Sequence, residues 1–138
     1  MDGFDVVPTV PVVLGDDPAT AADAVRPYSA LYVGGMGSRE KNFYHAQMVR
    51  MGYPQQAAEI QDRYLAKDYQ GAMAAVPLAF LEQTALLGDR DRIADRLPAY
   101  AEAGVTTLTV ACPGESLERS LTTLRTVAEA AELAGVAG

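Results

Sequence analysis

Gly104-Val105-Thr106-Thr107-Leu108-Thr109-Val110-Ala111-Cys112-Pro113-Gly114 is the stretch on which the fold turns. The β-branched residues from Val105 to Ala111 predict a strand, because branched side chains suit a pleated, half-buried surface. Gly104 stands where glycine ends a helix, and Pro113-Gly114 stops the strand. Reading backward, Asp89 caps a helix with Ile93, Leu97, Tyr100 and Gly104 on its inner face and a bend at Pro98. Before it, Thr84 to Leu87 is a short apolar strand ending at Gly88-Asp89. Reading forward, a final amphipathic helix carries Leu117, Leu121, Leu124, Ala128 and Ala131 along one stripe, with Glu115, Glu118, Glu129 and Glu132 on its wet face.

The front of the chain extends this alternation. Phe4 to Leu14 is rich in valine and reads as a strand, provided that Pro8 and Pro11, which lack a backbone donor, fall at its ends, at a bulge or where no ladder bond is needed. Asp16-Asp17-Pro18 opens a helix with Ala21, Val25, Tyr28 and Tyr32 on one face, kinked or divided at Pro27. Helical segments follow at Tyr44-Met48-Met51, Ile60-Tyr64 and Tyr69-Met73-Val76, broken at Gly52-Tyr53-Pro54 and Val76-Pro77. The order is strand, helix, a helical excursion over residues 38–82, short strand, helix, strand, helix. Such a βα series predicts an α/β domain over residues 1–138 with a parallel sheet.

Leu31-Tyr32-Val33-Gly34-Gly35-Met36-Gly37-Ser38-Arg39-Glu40-Lys41-Asn42-Phe43-Tyr44 joins the first helices to the excursion. Three glycines in four positions are costly unless the backbone needs a positive φ or a close approach. One reading makes Ser38 the N-cap of a new helix whose free N–H groups hold an anion or polar substrate, with Arg39 and Lys41 beside it and Glu40 weakening their field. The other is a glycine cap between two packed helices.

Composition excludes several classes. The 138 residues, 49% hydrophobic and 21% charged, are ordinary globular content, and a net charge of −7 is opposite to a nucleic-acid surface. No apolar run reaches the roughly 18–20 residues of a membrane span, and Met1-Asp2-Gly3-Phe4-Asp5 lacks the order of a signal peptide. A cytoplasmic chain is expected, and the single Cys112 agrees with a reducing compartment. With His45 the only histidine, no histidine-based metal cluster can form, and nothing in the sequence places a carboxylate beside it. Met36, Met48, Met51 and Met73 with Phe43 and Tyr44 suit either a core or a greasy pocket.

Three strands are too few to cover a parallel sheet, so the chain reads as the closing, C-terminal portion of a (β/α)₈ barrel of about three βα units. Phe4-Asp5-Val6-Val7-Pro8-Thr9-Val10-Pro11-Val12-Val13, the glycine segment from Ala30 to Tyr44, Leu87-Gly88-Asp89 and Ala103-Gly104-Val105-Thr106-Thr107-Leu108 together resemble the C-terminal part of luciferase-like oxidoreductases that use a deazaflavin coenzyme. The resemblance implies a TIM-type barrel of the bacterial luciferase kind. It also implies hydride transfer between a reduced coenzyme F-420 (deazaflavin) or FMN and a small organic substrate, with oxygen used by those members that are monooxygenases. On this reading Gly34, Gly35, Met36, Gly37, Ser38 and Asn42 contact substrate, Arg39 and Lys41 contact the cofactor, and no metal is involved. Family enzymes are over twice this length, so the fragment is expected to be inactive alone, its partner being a missing N-terminal half or a second copy. The rival reading is a non-catalytic α/β module that self-associates through exposed sheet edges.

Overall fold

β1, Thr9–Leu14, pairs with two neighbours in turn. In the computed structural model, which describes residues 3–138, Thr9–Pro11 lie parallel to β3 (Thr109–Ala111) and Val12–Leu14 parallel to β2 (Leu86–Gly88). Pro11 therefore sits where the ladder to β3 ends and the ladder to β2 begins, which explains how a central strand tolerates a residue with no N–H. Met1 and Asp2, part of the leader read for a signal sequence, lie outside the described residues.

The sheet is parallel, as the βα order requires, but its strand order is β2-β1-β3. Successive barrel strands would place β2 in the middle. Here β1 is central, so the connection from β2 to β3 passes across it. A chain carrying Thr9→Cys, Thr109→Cys and Cys112→Ser is expected to form an intramolecular disulfide on mild oxidation, because these positions are register partners. Failure to cross-link there, with cross-linking of Leu87→Cys to Val110→Cys instead, would restore the barrel order.

The chain forms two compact units. One comprises the chain up to Ala24 with Glu82–Gly138, and the other is Val25–Leu81. The first holds the sheet, α1 (Pro18–Ala22) and the two long C-terminal helices. The second begins with α2 (Arg26–Gly35) and continues through α3 (Phe43–Arg50), α4 (Pro54–Leu65) and α5 (Tyr69–Ala74) into α6 (Leu78–Thr84). Pro27 divides the front helix rather than bending it, standing in the first turn of α2 where its missing N–H costs nothing.

The sheet unit is closed by α7 (Arg90–Glu102) and α8 (Leu117–Leu133). Val10, Val12, Leu86, Ile93, Ala94, Leu97, Val127 and Ala130 form its core. Asp89 caps α7 by accepting from Arg92 N at 2.9 Å, and Gly104, at φ +91°, releases the chain after it. Two expectations need correction. The strand foreseen from Val105 is only three residues long, since Thr106 and Thr107 donate to Val6 O as an irregular extension before Thr109 N reaches Pro8 O. The leucine stripe of α8 is not its buried face. Thr123, Val127 and Ala130 face the core, while Leu117, Leu121 and Leu124 are exposed.

Candidate functional site

Because β1, β2 and β3 are parallel, their C-terminal ends share one rim of the sheet, the edge at which βα proteins place their ligands. Gly15 N donates to Gly88 O at 3.1 Å, tying two of these ends together. The chain then turns into helices whose first N–H groups already have partners: Asp17 accepts from Ala19 N, Asp89 from Arg92 N and Ser116 from Arg119 N. Hydrogen bonds from Thr20 and Ala19 hold the Asp17 carboxyl below its usual range. Asp16, Asp17, Asp89 and Glu115 make this rim acidic. Arg92 is paired with Glu82 at 2.6 Å and Arg90 with Asp91 at 3.2 Å. Cys112 follows β3, and burial together with the charge of Glu115 raises its thiol pKa, so it stays a protonated, unreactive thiol.

The glycine segment lies in the helical unit and resolves residue by residue. Gly34 and Gly35 belong to α2 and face Tyr64 of α4. A Cβ on Gly34 would lie 2.5 Å from Tyr64 Cβ and 3.3 Å from Ile60 O; one on Gly35 would lie 2.5 Å from Tyr64 Cε1. Gly37, at φ +150°, has Lys41 O where a side chain would start. These glycines allow two helices to touch and a turn to close. Met36, the cap of α2, is half exposed.

Ser38 does not begin a helix. Its hydroxyl and carbonyl oxygens both accept from Lys41 N, at 3.2 and 3.1 Å, closing a turn over Ser38–Lys41. The cap of the next helix is Asn42, whose Oδ1 accepts from His45 N at 3.0 Å. Its Nδ2 donates to Tyr32 O and Val33 O, both at 3.0 Å, so this buried carboxamide joins the end of α2 to the start of α3 with both of its N–H donors in use. Arg39 forms an ion pair with Asp62 on the surface, and Gln61 Nε2 donates to Arg39 O at 3.3 Å. Lys41 is exposed and makes no ion pair among the described residues. His45 Nδ1 is enclosed without a hydrogen-bond partner among the described residues, so no carboxylate accepts from or donates to it there.

The family model described as luciferase-like monooxygenase matches residues 1–107. The chain belongs to that family. A protein of Mycobacterium tuberculosis (strain ATCC 25618 / H37Rv) named "Putative coenzyme F420-dependent oxidoreductase" is 31% identical over 123 residues, which are 89% of this chain and 35% of the relative. The chain thus spans about a third of the length of that curated relative. No solved structure matches. Among the described residues no helix is long and apolar enough to cross a membrane, and no group of three or more histidine, cysteine or acidic side chains is placed to hold a metal ion.

An anionic flavin-type coenzyme needs positive charge and unused donors where its phosphate lies. The acidic rim of the sheet does not fit a phosphate, since its helix starts are capped by the chain's own side chains. The Ser38–Lys41 turn fits better. Lys41 makes no ion pair among the described residues, and an exposed pair such as Arg39–Asp62 holds its partners by no more than about 1 kcal/mol, so the guanidinium can be redirected.

Proposed function

We propose that this chain is the C-terminal portion of a flavin- or deazaflavin-dependent oxidoreductase acting on a small organic substrate. The observation that carries the reading is the family match over residues 1–107 joined to the 31% identity with the mycobacterial relative. In such an enzyme the bound coenzyme supplies the hydride. The roles assigned to this chain are to build part of the barrel wall and to present the Ser38–Lys41 turn to an anionic group. Arg39 and Lys41 contribute the positive charge, and Gly37 lets the turn close tightly enough to hold both on one short loop. The apolar strand residues Val10, Val12 and Leu86 keep water from the wall beneath the rim.

The test is fluorescence titration of the 138-residue chain with deazaflavin coenzyme and with FMN. Saturable binding of at least one is expected, weakened about five- to tenfold in the Arg39→Gln, Lys41→Gln double variant and by raised salt. A compact sample that binds neither coenzyme overturns the assignment of a cofactor contact to this turn. Binding that ignores the double variant moves the contact elsewhere in the chain.

A further inference from the structure

The exposed stripe of α8 has the spacing of a helix-pairing seam. Leu117, Leu121, Leu124 and Ala128 follow one another at intervals of four, three and four residues, the repeat that keeps a stripe facing a partner helix. Leu117 is 78% exposed, Leu121 46% and Leu124 53%, on a helix whose core contacts lie along a different face through Thr123, Val127 and Ala130. Beside the stripe runs an apolar groove of about 290 Å³ lined by Leu124, Ala128 and Ala131 with Tyr100, Val105 and Leu108.

We infer that this face docks the α8 helix of a second copy of the chain, antiparallel, about a two-fold axis near the middle of the stripe. The charges flanking the seam select that occupant. Glu118 and Arg125 each follow a leucine of the stripe on its solvent side, and neither makes an ion pair among the described residues. When Leu121 of one copy lies against Leu124 of the other, Glu118 of each comes beside Arg125 of the other, so the two-fold axis makes two opposite-charge contacts from one sequence. The same layering sets Leu117 of the copy over Ala128, where a small side chain at the edge of the groove leaves room for a large one. Parallel pairing gives no such match. There Arg125 comes beside Ser120, which is uncharged, and Glu118 beside position 113, which precedes the helix. This seam is independent of the oxidoreductase reading and of the sheet edges.

Sedimentation equilibrium of the 138-residue chain from 5 to 500 µM (~100-fold in concentration) at physiological salt, which screens the −7 charge on each copy, tests the inference. The apparent mass is expected to rise toward twice 14.6 kDa. Leu121→Glu is expected to weaken the dimer by more than about tenfold with helicity unchanged, because the position is exposed in the monomer. Glu118→Arg and Arg125→Glu should each weaken it about three- to tenfold by placing like charges together, and the two combined should restore it to within about twofold. A chain monomeric throughout the range, or a dimer indifferent to the charge reversals, overturns the proposal.

Discussion

Gly34→Val is expected to destabilise the helical unit by about 3 kcal/mol and lower its melting temperature by roughly 12–24 °C, read by thermal denaturation followed at 222 nm. Two effects oppose each other at this position. A β-branched residue recovers part of the helix propensity that glycine forfeits, less than about 1 kcal/mol. Against it stands contact with Tyr64 at 2.5 Å from Cβ and 2.8 Å from Cγ, and with Ile60 O at 3.3 Å, before the valine methyls are counted. Tyr64 Cβ is fixed to the backbone of α4, so no rotamer removes it. Steric cost wins. Gly35 differs in kind, because its added Cβ would meet the far ring atoms Cε1 and Cδ1 of Tyr64. The ring packs against Tyr69 with centroids 4.8 Å apart and can turn only by giving up that contact. Gly35→Ala is therefore expected to cost less, and Tyr64→Ala should rescue Gly35→Ala while leaving Gly34→Val unrescued. Rescue of both would show that the ring, rather than the closeness of the two helices, sets the requirement for glycine.

What the sequence disclosed was local. Asp17 and Asp89 were readable as caps because the acceptor and the N–H it serves lie two or three residues apart. The end of α7 at Gly104 and the division at Pro27 were readable for the same reason. Wherever tertiary neighbours choose between two locally equal options, pattern alone chose wrongly or not at all. Ser38 and Asn42 are both good caps, and what selects Asn42 is its second function at the carbonyls of Tyr32 and Val33, ten and nine residues back. On α8 the leucines make the stronger stripe, yet the small Thr123 and Ala130 let the helix approach the core closely, with the Thr123 hydroxyl satisfied by Glu115 at 2.9 Å. The strand order follows from pairings about a hundred residues apart along the chain, which no periodicity encodes.

The same logic reassigns the glycine segment. Its rarity in the sequence invited a ligand, whereas the structure uses Gly34 and Gly35 for contact between α2 and α4 and Gly37 for a turn. The two readings are compatible because they concern different atoms. Glycine packing fixes the end of α2 and Asn42 fixes the start of α3, so the six residues between them, Met36 to Lys41, are held at both ends while their side chains face solvent. A short loop with fixed ends loses less entropy on binding than a free one, which favours the proposed use of Arg39 and Lys41 over two cations on an open loop.

Asn42 carries the second large effect. Asn42→Ala is expected to cost about 3 kcal/mol, since it removes an N-cap worth about 1 kcal/mol and two buried hydrogen bonds of similar size. Asn42→Asp separates these contributions. Aspartate is as good an N-cap as asparagine, so if capping of α3 were the whole role the variant would be nearly neutral. In this position, however, the oxygen that replaces Nδ2 is brought against the carbonyls of Tyr32 and Val33 in a site only 6% exposed, turning two attractive contacts into repulsions. Asn42→Asp is accordingly expected to be at least as destabilising as Asn42→Ala at pH 7 and to recover as the pH is lowered and the carboxyl takes up a proton, which lets it donate again to one of the carbonyls. The sign follows from burial beside two acceptors, which raises the folded-state pKa of the introduced acid above its unfolded value. Urea denaturation of both variants at neutral and mildly acidic pH measures the difference. A neutral Asn42→Asp would reduce Asn42 to a cap of α3 and leave the end of α2, and with it the Ser38–Lys41 turn, without the anchor assigned to it.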